Sequence, residues 1–495
     1  MSGTGKSHKS ALGTTVLVFM LVYLGLGILY LNNLYTNHLS GEEAALSAVG
    51  LWICFSAILP SFMHMNAMRQ GRLQEPIPVV PAIGLVYAVY YGLPFLFGNT
   101  PAKLMMATFD HESLSRSAWF ALGGWWCFVG GYYVLGQLTR TVRPIKLQIY
   151  YGNKTERNAF YLTAFGFFMM TLVSPILRKY EALRKLLEIL ESTFDMGMGY
   201  LILISLRTKL KGFRNVVLWW FWVPFYFIMT LSSGFLATFL MAAIYVIMLI
   251  MACNKKIPTM LIMSVLVLGF IIRLSIADFR KQAWTQKNQS MSIFQRTEKF
   301  IDISTNRFKK AKSHDTSKHG LEDFRARTSM ISIFAHTVRL TPKIVPYWGG
   351  ATYYHFLISF IPRAIWRDKP VHDVGQRFGH RYNLLDIYDT STSANLPLIV
   401  EMYINYGPAA VYFGMLFLGF SYRFLSRKSN SFNSGDGTVL IACLLLRRLM
   451  LIECNFAVLH GDLLKHGVII GVIFRFLGAY GTKVSNRRLV NEKTT

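Results

Sequence analysis

Apolar runs of about 20 residues recur along this chain of 495 residues, and they restrict its fold more than any other feature of the sequence. A helix needs ~20 apolar residues to cross the ~30 Å hydrocarbon core of a bilayer. The runs that meet or nearly meet this length are 11–32, 45–65, 78–98, 117–137, 158–177, 186–206, 215–232, 235–253, 257–277, 399–422, 437–453 and 463–480. We therefore predict an all-α polytopic membrane protein, a helix bundle with 12 transmembrane helices.

The composition excludes the soluble and disordered classes of protein. Hydrophobic residues make up 53% of the chain and charged residues only 16%, whereas roughly 25% of residues are charged in soluble domains. A net charge of +27 would indicate a nucleic-acid partner in a soluble protein. A soluble globule of this length cannot bury so much apolar surface. The positive charge is therefore not that of a soluble nucleic-acid-binding protein, and we expect no nucleic-acid partner.

The motifs that bind cofactors and metals are missing from the sequence. The five cysteines are scattered and lack metal-ligand spacing. The chain contains no phosphate-binding loop and no glycine fingerprint for a dinucleotide. We therefore expect no cofactor and no metal.

Lysine and arginine are divided unequally between the two sets of short loops. With the N-terminus in the cytoplasm, 22 of them fall in cytoplasmic segments and nine in the opposite short loops. Because cytoplasmic loops carry the excess of positive charge, we predict that both termini are cytoplasmic. The predicted organisation is nine helices in 1–278, a large extracytoplasmic loop in 279–395, and three helices with a cytoplasmic tail in 396–495.

The predicted outer loop 279–395 is basic, with 19 Lys and Arg against nine Asp and Glu. Its first part, 280–327, is polar and typical of a solvated loop. From Thr328 onward aromatic and apolar residues become frequent. We expect this second part to form helices that pack against the membrane domain and cap a cavity.

The densest cluster of cations lies late in the outer loop. It provides four candidate ligands for a diphosphate: Arg363, Arg367, Lys369 and Arg377. Arginine presents a rigid fork of donors that suits phosphate oxygens, and lysine adds a point charge. Attraction of a basic loop to anionic lipid headgroups is the alternative, and the residues alone favour the two interpretations equally.

Two further cations lie on the predicted outer side, against the orientation bias. Arg178 follows the run 158–177, and Arg447 stands near the outer end of the run 437–453. Cations placed in or beside a membrane span are costly and are functional by default, so we predict that both contribute to diphosphate binding. The alternative is that their side chains reach from a helix end to the membrane surface.

Three residues are candidate general bases: Glu401, His372 and His380. Glu401 stands where the chain re-enters the membrane, and a carboxylate there could instead orient an arginine or form a structural ion pair. Each histidine could equally donate to a phosphate or lie on the surface. A separate set of acids shares one helix face and favours ion pairs between helices: Glu188, Glu191 and Asp195.

Two segments resemble the Wzy-type polymerases of O-antigen and capsule repeat units. The first is a Pro-Arg…Trp…Lys-Pro pattern in a late outer loop, and the second is a Glu-x-Tyr-x-Asn-x-Gly pattern at the start of a late helix. The matching positions are Pro362, Arg363, Trp366, Lys369 and Pro370, then Glu401, Tyr403, Asn405 and Gly407. The specific match covers roughly 65 residues. The chain departs from this family at the turn Ser232-Ser233-Gly234, where many relatives carry an arginine after the turn and this sequence has Phe235. Arg178 or Arg447 would have to replace that arginine.

The resemblance implies a metal-independent, membrane-embedded glycosyltransferase of the bacterial cytoplasmic membrane. Such enzymes move a growing glycan from its polyprenyl diphosphate to the non-reducing end of the next lipid-linked oligosaccharide, and fixed cations stabilise the leaving diphosphate. The resemblance implies that Trp366, Tyr403 and Asn405 contact sugar or support the fold. Besides substrate and bilayer, it implies a chain-length regulator and a flippase as partners.

Three other functions stay open at the level of the sequence. A ligase or another polyprenyl-phosphate glycosyltransferase would share the basic loop and differ in its acceptor. A 12-helix transporter of anionic or lipid-linked solutes would carry its longest loop between helices 6 and 7, whereas here the long loop follows the ninth predicted helix. A scaffold for envelope assembly is opposed only by the clustered cations.

Overall fold

The computed structural model describes most of the chain with gaps. The described residues are 20–35, 41–70, 75–97, 109–147, 153–177, 180–208, 212–232, 236–254, 260–262, 264–265, 268–269, 275, 279, 293–310, 329–359, 361, 366, 368–390, 392–431, 435–461, 463, 467 and 471. Within these ranges the protein is helical and contains no β-strand. The predicted all-α class is confirmed for this part of the chain.

The helices are α1 Met20–Tyr35, α2 Gly41–Arg69, α3 Val79–Tyr87, α4 His111–Tyr133, α5 Asn153–Phe168, α6 Glu181–Thr208, α7 Val223–Ser232, α8 Leu236–Asn254, α9 Ile293–Lys310, α10 Met330–Leu340, α11 Tyr354–Ile358, α12 Val374–Arg381, α13 Leu398–Ser429 and α14 Asp436–Leu446. Wider π-helical turns adjoin α3, α5 and α7: Ala88–Gly92, Met169–Val173 and Leu218–Trp222. Short helical segments also occur at Leu93–Phe95, Leu135–Thr139, Ser174–Leu177, Phe213–Val217 and Arg447–Met450.

Four helices among the described residues are long and apolar enough to cross a membrane: Gly41–Met68, Thr155–Leu177, Leu186–Arg207 and Leu398–Ser429. They coincide with the predicted spans 45–65, 158–177, 186–206 and 399–422. Shorter apolar helices fall within or overlap further predicted spans: Met20–Tyr35, Val79–Phe95 and Thr238–Cys253. Four of the predicted spans are therefore confirmed as helices long and apolar enough to cross a membrane, and the total of 12 and the domain boundaries stay predictions.

Helix α13 shows how the bundle separates lipid from core. Its side chains Phe413 and Phe417 are 72% and 65% exposed, whereas Val411 and Met415 are buried. Both faces are apolar, which suits a helix with protein on one side and acyl chains on the other. The length and composition of α13 are those of a helix that can span a bilayer.

Helices α4 and α13 approach so closely that their backbones touch. A Cβ atom on Gly131 would collide with the carbonyl oxygen of Leu416, and one on Gly419 would collide with that of Phe128. Small residues allow membrane helices to pack at this distance. This contact holds the second half of α13 against α4.

Helix α10, from the predicted outer loop, packs against α4 and α13. All its residues except Arg339 are buried, and Phe334 lies 5.7 Å from Tyr403 and 6.3 Å from Phe120 between ring centroids. The expectation that the loop beyond Thr328 forms helices against the membrane domain is confirmed.

Candidate functional site

The site is built around a break in α13. Tyr406 and Gly407 leave the helical conformation, and Gly407 has φ +75° and ψ −159°. Glycine reaches this region without the Cβ clash of other residues. The next residue is Pro408, which has no backbone N–H. The carbonyl of Ile404 therefore cannot accept the usual helical hydrogen bond from the residue four positions later.

The freed acceptors hold a loop of the predicted outer region, Trp348–Gly350. The Trp348 amide donates to the Ile404 carbonyl at 2.9 Å, and the Gly349 amide donates to the Asn405 carbonyl at 3.2 Å. The Gly350 amide donates to the Asn405 side-chain oxygen Oδ1 at 2.9 Å. Three consecutive amides are thus bound to the helix break.

Asn405 also connects the break to Glu401. Its Nδ2 donates to the Glu401 carbonyl at 2.7 Å and to the Thr352 hydroxyl at 2.8 Å. The Asn405 side chain is fully buried, and its donors and acceptor are engaged. The structure therefore gives Asn405 a role in joining the loop to α13, while contact with sugar stays a prediction.

Glu401 is fully buried. Its Oε2 accepts a hydrogen bond from the Phe456 amide at 2.5 Å. The Thr352 side chain faces the carboxylate, but Oε1 has no hydrogen-bond partner among the described residues. Within the same part of the chain no arginine forms an ion pair with Glu401.

Arg377 is the centre of a charged cluster at the other side of this loop. Its Nε lies 2.9 Å from Asp373 Oδ1, and its Nη2 lies 2.9 Å from His355 Nε2. The His372 ring stands edge-on to the His355 ring at 5.0 Å between centroids. Burial, aided by the positive potential from His372 and Arg377, lowers the pKa of His355. His355 is therefore neutral at pH 7.

An open pocket of about 510 Å³ lies against this cluster. The residues that line it are Ala351, Tyr354, His355, Pro370, Val371, Asp373 and Arg377. The Arg377 side chain is 45% exposed, and His372 is exposed beside the pocket. The pocket thus presents a guanidinium and an imidazole to solvent next to apolar side chains.

The loop separates the pocket from Glu401. Ala351 lines the pocket, whereas the next residue, Thr352, is fully buried and faces Glu401. The structure therefore brings Arg377 and His372 together and places Glu401 behind the pocket wall. As a general base, Glu401 would need this loop or the segment at Phe456 to move, and its assignment stays a prediction.

Lys369 lies at the edge of the same region. Its ammonium donates to the carbonyls of Ile361, at 2.9 Å, and Ser359, at 3.4 Å. The Lys369 amide donates to the Trp366 carbonyl at 3.3 Å. These bonds tie the end of α11 to the segment that enters the pocket at Pro370.

Two other predicted residues make bonds within the fold. His380 Nε2 lies 2.9 Å from the Asp389 carbonyl oxygen. The Tyr403 hydroxyl donates to the Thr341 carbonyl at 3.1 Å. Both contacts hold the outer segments together, and no contact brings either residue to the pocket among the described residues.

Arg447 lies elsewhere, within the bundle. Its Nη2 pairs with Asp195, its Nη1 donates to the Tyr226 hydroxyl at 2.8 Å, and its guanidinium carbon lies 4.7 Å from the Tyr245 ring centroid. Asp195 thus forms an ion pair between helices, as its position on the acidic face predicts. Diphosphate binding by Arg447 would require this pair to open, and it stays a prediction.

Three candidate cations lie outside the described residues: Arg178, Arg363 and Arg367. Asp373 and Trp348 belong to this cluster but are not among the site residues predicted from the sequence. Asp373 stands four residues before Arg377, which is the spacing of a helical ion pair. Trp348 lies 29 positions before Arg377 in the chain, and no local pattern connects the two.

A family model described as a domain of unknown function, DUF8712, matches residues 123–477. No curated protein and no solved structure matches the chain. The match begins within α4, extends past the last described residue and includes every residue that lines the pocket.

Proposed function

We propose that this chain, which belongs to the DUF8712 family, is a membrane-embedded glycosyltransferase that polymerises polyprenyl-diphosphate-linked oligosaccharide repeat units. It transfers the growing glycan from its lipid diphosphate to the non-reducing end of the next lipid-linked unit. The product is a surface polysaccharide such as O-antigen, capsule or exopolysaccharide. The proposal joins the sequence resemblance to the geometry of the pocket.

The Arg377 cluster is the observation that carries the proposal. Arg377, His355 and His372 meet at one open pocket, with Lys369 at its edge. Among the described residues, Asp373 is the one carboxylate that lines this pocket. A pocket with this excess of nitrogen donors suits an anion with several oxygens, and a diphosphate has the matching charge and acceptors.

The lining of the pocket also suits a substrate with a lipid tail. Val371 and Tyr354 line it and are 63% and 48% exposed, and Leu357, one turn from Tyr354, is 67% exposed. Exposed apolar side chains beside a charged pocket fit the boundary between headgroups and acyl chains. A lipid diphosphate would therefore keep its tail in the bilayer while its charge reaches Arg377.

In the proposed reaction, the bond between the sugar C1 and the diphosphate oxygen breaks, and the acceptor hydroxyl oxygen bonds to C1. The diphosphate leaves with the electron pair, and Arg377 and Lys369, with Arg363 and Arg367, stabilise that charge. The acceptor hydroxyl gives its proton to a base. His372 is exposed next to Arg377 and is the best-placed candidate for this base.

The proposed topology has 12 transmembrane helices in a bacterial cytoplasmic membrane, with both termini in the cytoplasm and loop 279–395 outside. Contacts between connections support it. The Ile145 amide donates to the Lys428 carbonyl at 2.8 Å, the Leu147 amide donates to the Thr438 hydroxyl at 2.9 Å, and Asn430 bonds with Ile77. The excess of Lys and Arg in the short loops predicts that all these connections lie on the cytoplasmic side, and their mutual contacts agree with that prediction.

A transporter is the second candidate, favoured by the bundle interior. Helix α14 ends at Leu446, and the short helical segment Arg447–Met450 and the residues after it are buried at Leu449, Met450 and Ile452. Broken helices and buried ion pairs such as Arg447–Asp195 are typical of transporter binding sites. A transporter would move a labelled anionic or lipid-linked solute across proteoliposomes, whereas a polymerase would consume it.

Variants of the pocket in the native host test the polymerase proposal. We expect Arg377→Ala and Lys369→Ala to abolish long-chain polysaccharide while single-repeat product and protein level are kept, because the leaving group loses its counter-charge. Lys343→Ala is the matched control, since Lys343 is an exposed cation in the same predicted loop that does not line the pocket. Unchanged chain length in both pocket variants would refute the proposal.

A further inference from the structure

We infer that Asn405 and Trp348 are positioning residues for Arg377, so that the break in α13 sets the geometry of the anion pocket. This inference rests on the proposed function, because it takes Arg377 as a diphosphate ligand. The coupling runs from α13 through the Trp348–Gly350 loop to α12.

The first step is the fit between the helix break and the loop. Gly349 and Gly350 have φ +57° and +87°, which turns successive amides toward the same acceptors. A Cβ atom on Gly350 would collide with the Tyr406 hydroxyl. Three hydrogen bonds from consecutive amides to residues 404 and 405 therefore fix the position of the loop on α13.

The second step is the contact of Trp348 with α12. Arg377 and Arg381 are four residues apart and therefore share one face of α12. Their guanidinium carbons lie 5.9 and 4.9 Å from the Trp348 ring centroid, within the range of a cation–π interaction. Trp348 is 8% exposed, so its ring is a fixed surface against which both cations rest.

The third step is that the residues directly after the loop form part of the pocket wall. Ala351 and Tyr354 line the pocket together with Pro370 and Val371, and Thr352 is bonded to Asn405. A shift of the loop on α13 therefore moves the wall and the Trp348 ring together. Arg377 would then lose its direction toward the pocket even though its own chemistry is unchanged.

A competing explanation is that Asn405 and Trp348 only stabilise the fold. Asn430 provides a matched control because it lies at the opposite end of α13. It is also buried and also binds a neighbouring backbone, with Nδ2 donating to the Ile77 carbonyl at 2.8 Å and Oδ1 accepting from the Ile77 amide at 2.9 Å. Asn430→Ala removes a comparable set of bonds far from the pocket.

The test measures the affinity of purified full-length protein for inorganic pyrophosphate by calorimetric titration. We expect Arg377→Ala to weaken binding about tenfold or more, and Asn405→Ala and Trp348→Leu to weaken it about threefold to tenfold. Trp348→Phe keeps an aromatic ring and should recover most of the affinity. Asn430→Ala should bind as the wild type does, even where its melting temperature falls as far as that of Asn405→Ala.

A double-mutant comparison separates positioning from independent binding. If Trp348 acts through Arg377, Trp348→Leu adds no loss in the Arg377→Ala background. Additive losses, or unchanged affinity in Trp348→Leu and Asn405→Ala, would overturn the inference and leave the proposed function standing. Unchanged affinity in Arg377→Ala would overturn the proposed function itself.

Hydrogen exchange gives a readout that does not depend on binding. Asn405→Ala removes the acceptor of the Gly350 amide, and we expect faster exchange in peptides covering 348–356 and 373–381. Asn430→Ala should leave exchange in both peptides unchanged. Faster exchange confined to 348–356 would show that the loop is not coupled to α12 and would contradict the inference.

Discussion

Two arginine–aspartate pairs in this protein use the same side chains in opposite surroundings. Arg447 and Asp195 pair within the helix bundle, with 11% and 18% of their side chains exposed, and the guanidinium also contacts Tyr226 and Tyr245. Arg377 and Asp373 pair at the open pocket, with 45% and 40% exposed. Arg447 is enclosed by its partners, whereas Arg377 lines an open pocket that a ligand can occupy.

This contrast shows that an arginine within an apolar run is not by that position alone a ligand-binding residue. Arg447 attracts attention because it falls in an apolar run, yet its charge is matched by Asp195 on another helix. Arg377 lies in an ordinary basic loop, and its importance comes from the pocket beside it. Removing Arg447 should therefore affect folding, and removing Arg377 should affect binding.

The largest effect is expected for the enclosed pair. Arg447→Ala leaves Asp195 without its partner in the bundle, and breaking a buried pair costs about 3–5 kcal/mol of unfolding free energy. Thermal unfolding in detergent should show a large fall in melting temperature or no folded protein. A melting temperature equal to that of the wild type would mean that the pair does not hold the helices together.

The double variant Arg447→Met with Asp195→Leu is the control for this prediction. Replacing both charges by apolar side chains removes the uncompensated carboxylate and should restore most of the stability. Polysaccharide formation by this folded variant also tests Arg447 as a diphosphate ligand. Wild-type chain length would exclude that role, and loss of polymer would support it.

A smaller effect on stability is expected at the pocket. Because Arg377 and Asp373 are both partly exposed, Arg377→Ala should change unfolding free energy by no more than about 1 kcal/mol. Its pyrophosphate affinity should nevertheless fall. A variant that unfolds as readily as Arg447→Ala would erase the distinction between the two pairs.

The smallest effect is a pH dependence of stability that comes from His355, which lies beside the Arg377–Asp373 pair. The lowered pKa of His355 means that the folded state resists protonation of this imidazole. Its contribution to stability is present above the ordinary histidine pKa of about 6.5 and is lost as pH falls through that value toward the folded-state pKa. His355→Gln should therefore lose less stability than the wild type between pH 7.5 and 5.5.

Parallel melting curves at several pH values check this prediction. Histidines elsewhere contribute equally to both proteins, so the difference between the two slopes reports on His355. Identical slopes would show that the imidazole does not titrate differently in the folded and unfolded states. Tyr226 and Tyr245, which surround Arg447, do not titrate in this range.

The sequence allowed the membrane helices to be predicted because apolar length is a local property. The predicted spans 45–65, 158–177, 186–206 and 399–422 coincide with long apolar helices. The break at Gly407-Pro408 is also encoded locally, but the run 399–422 predicts one continuous helix. An apolar run by itself does not show where the helix leaves the helical conformation.

The contacts of the site could not be predicted in the same way. Asp195 and Arg447 are 252 positions apart, and their pairing depends on how α6 and the end of α14 pack. Trp348 meets Arg377 because the loop is bound to α13, which no spacing in the sequence reveals. Arg377, Lys369 and His372 were found as candidates because charge density is visible locally, whereas the pocket that connects them is a tertiary feature.

The most direct test of the proposed function is a transfer reaction with purified protein in lipid nanodiscs. A polyprenyl-diphosphate-linked repeat unit from the native host serves as donor and acceptor, and the assay follows glycan length and released lipid diphosphate together. The account predicts a ladder of longer glycans with one lipid diphosphate released per transfer for the wild type and for Lys343→Ala, and neither product for Arg377→Ala. Intact substrate after incubation with folded wild-type protein, or equal ladders from wild type and Arg377→Ala, would contradict it.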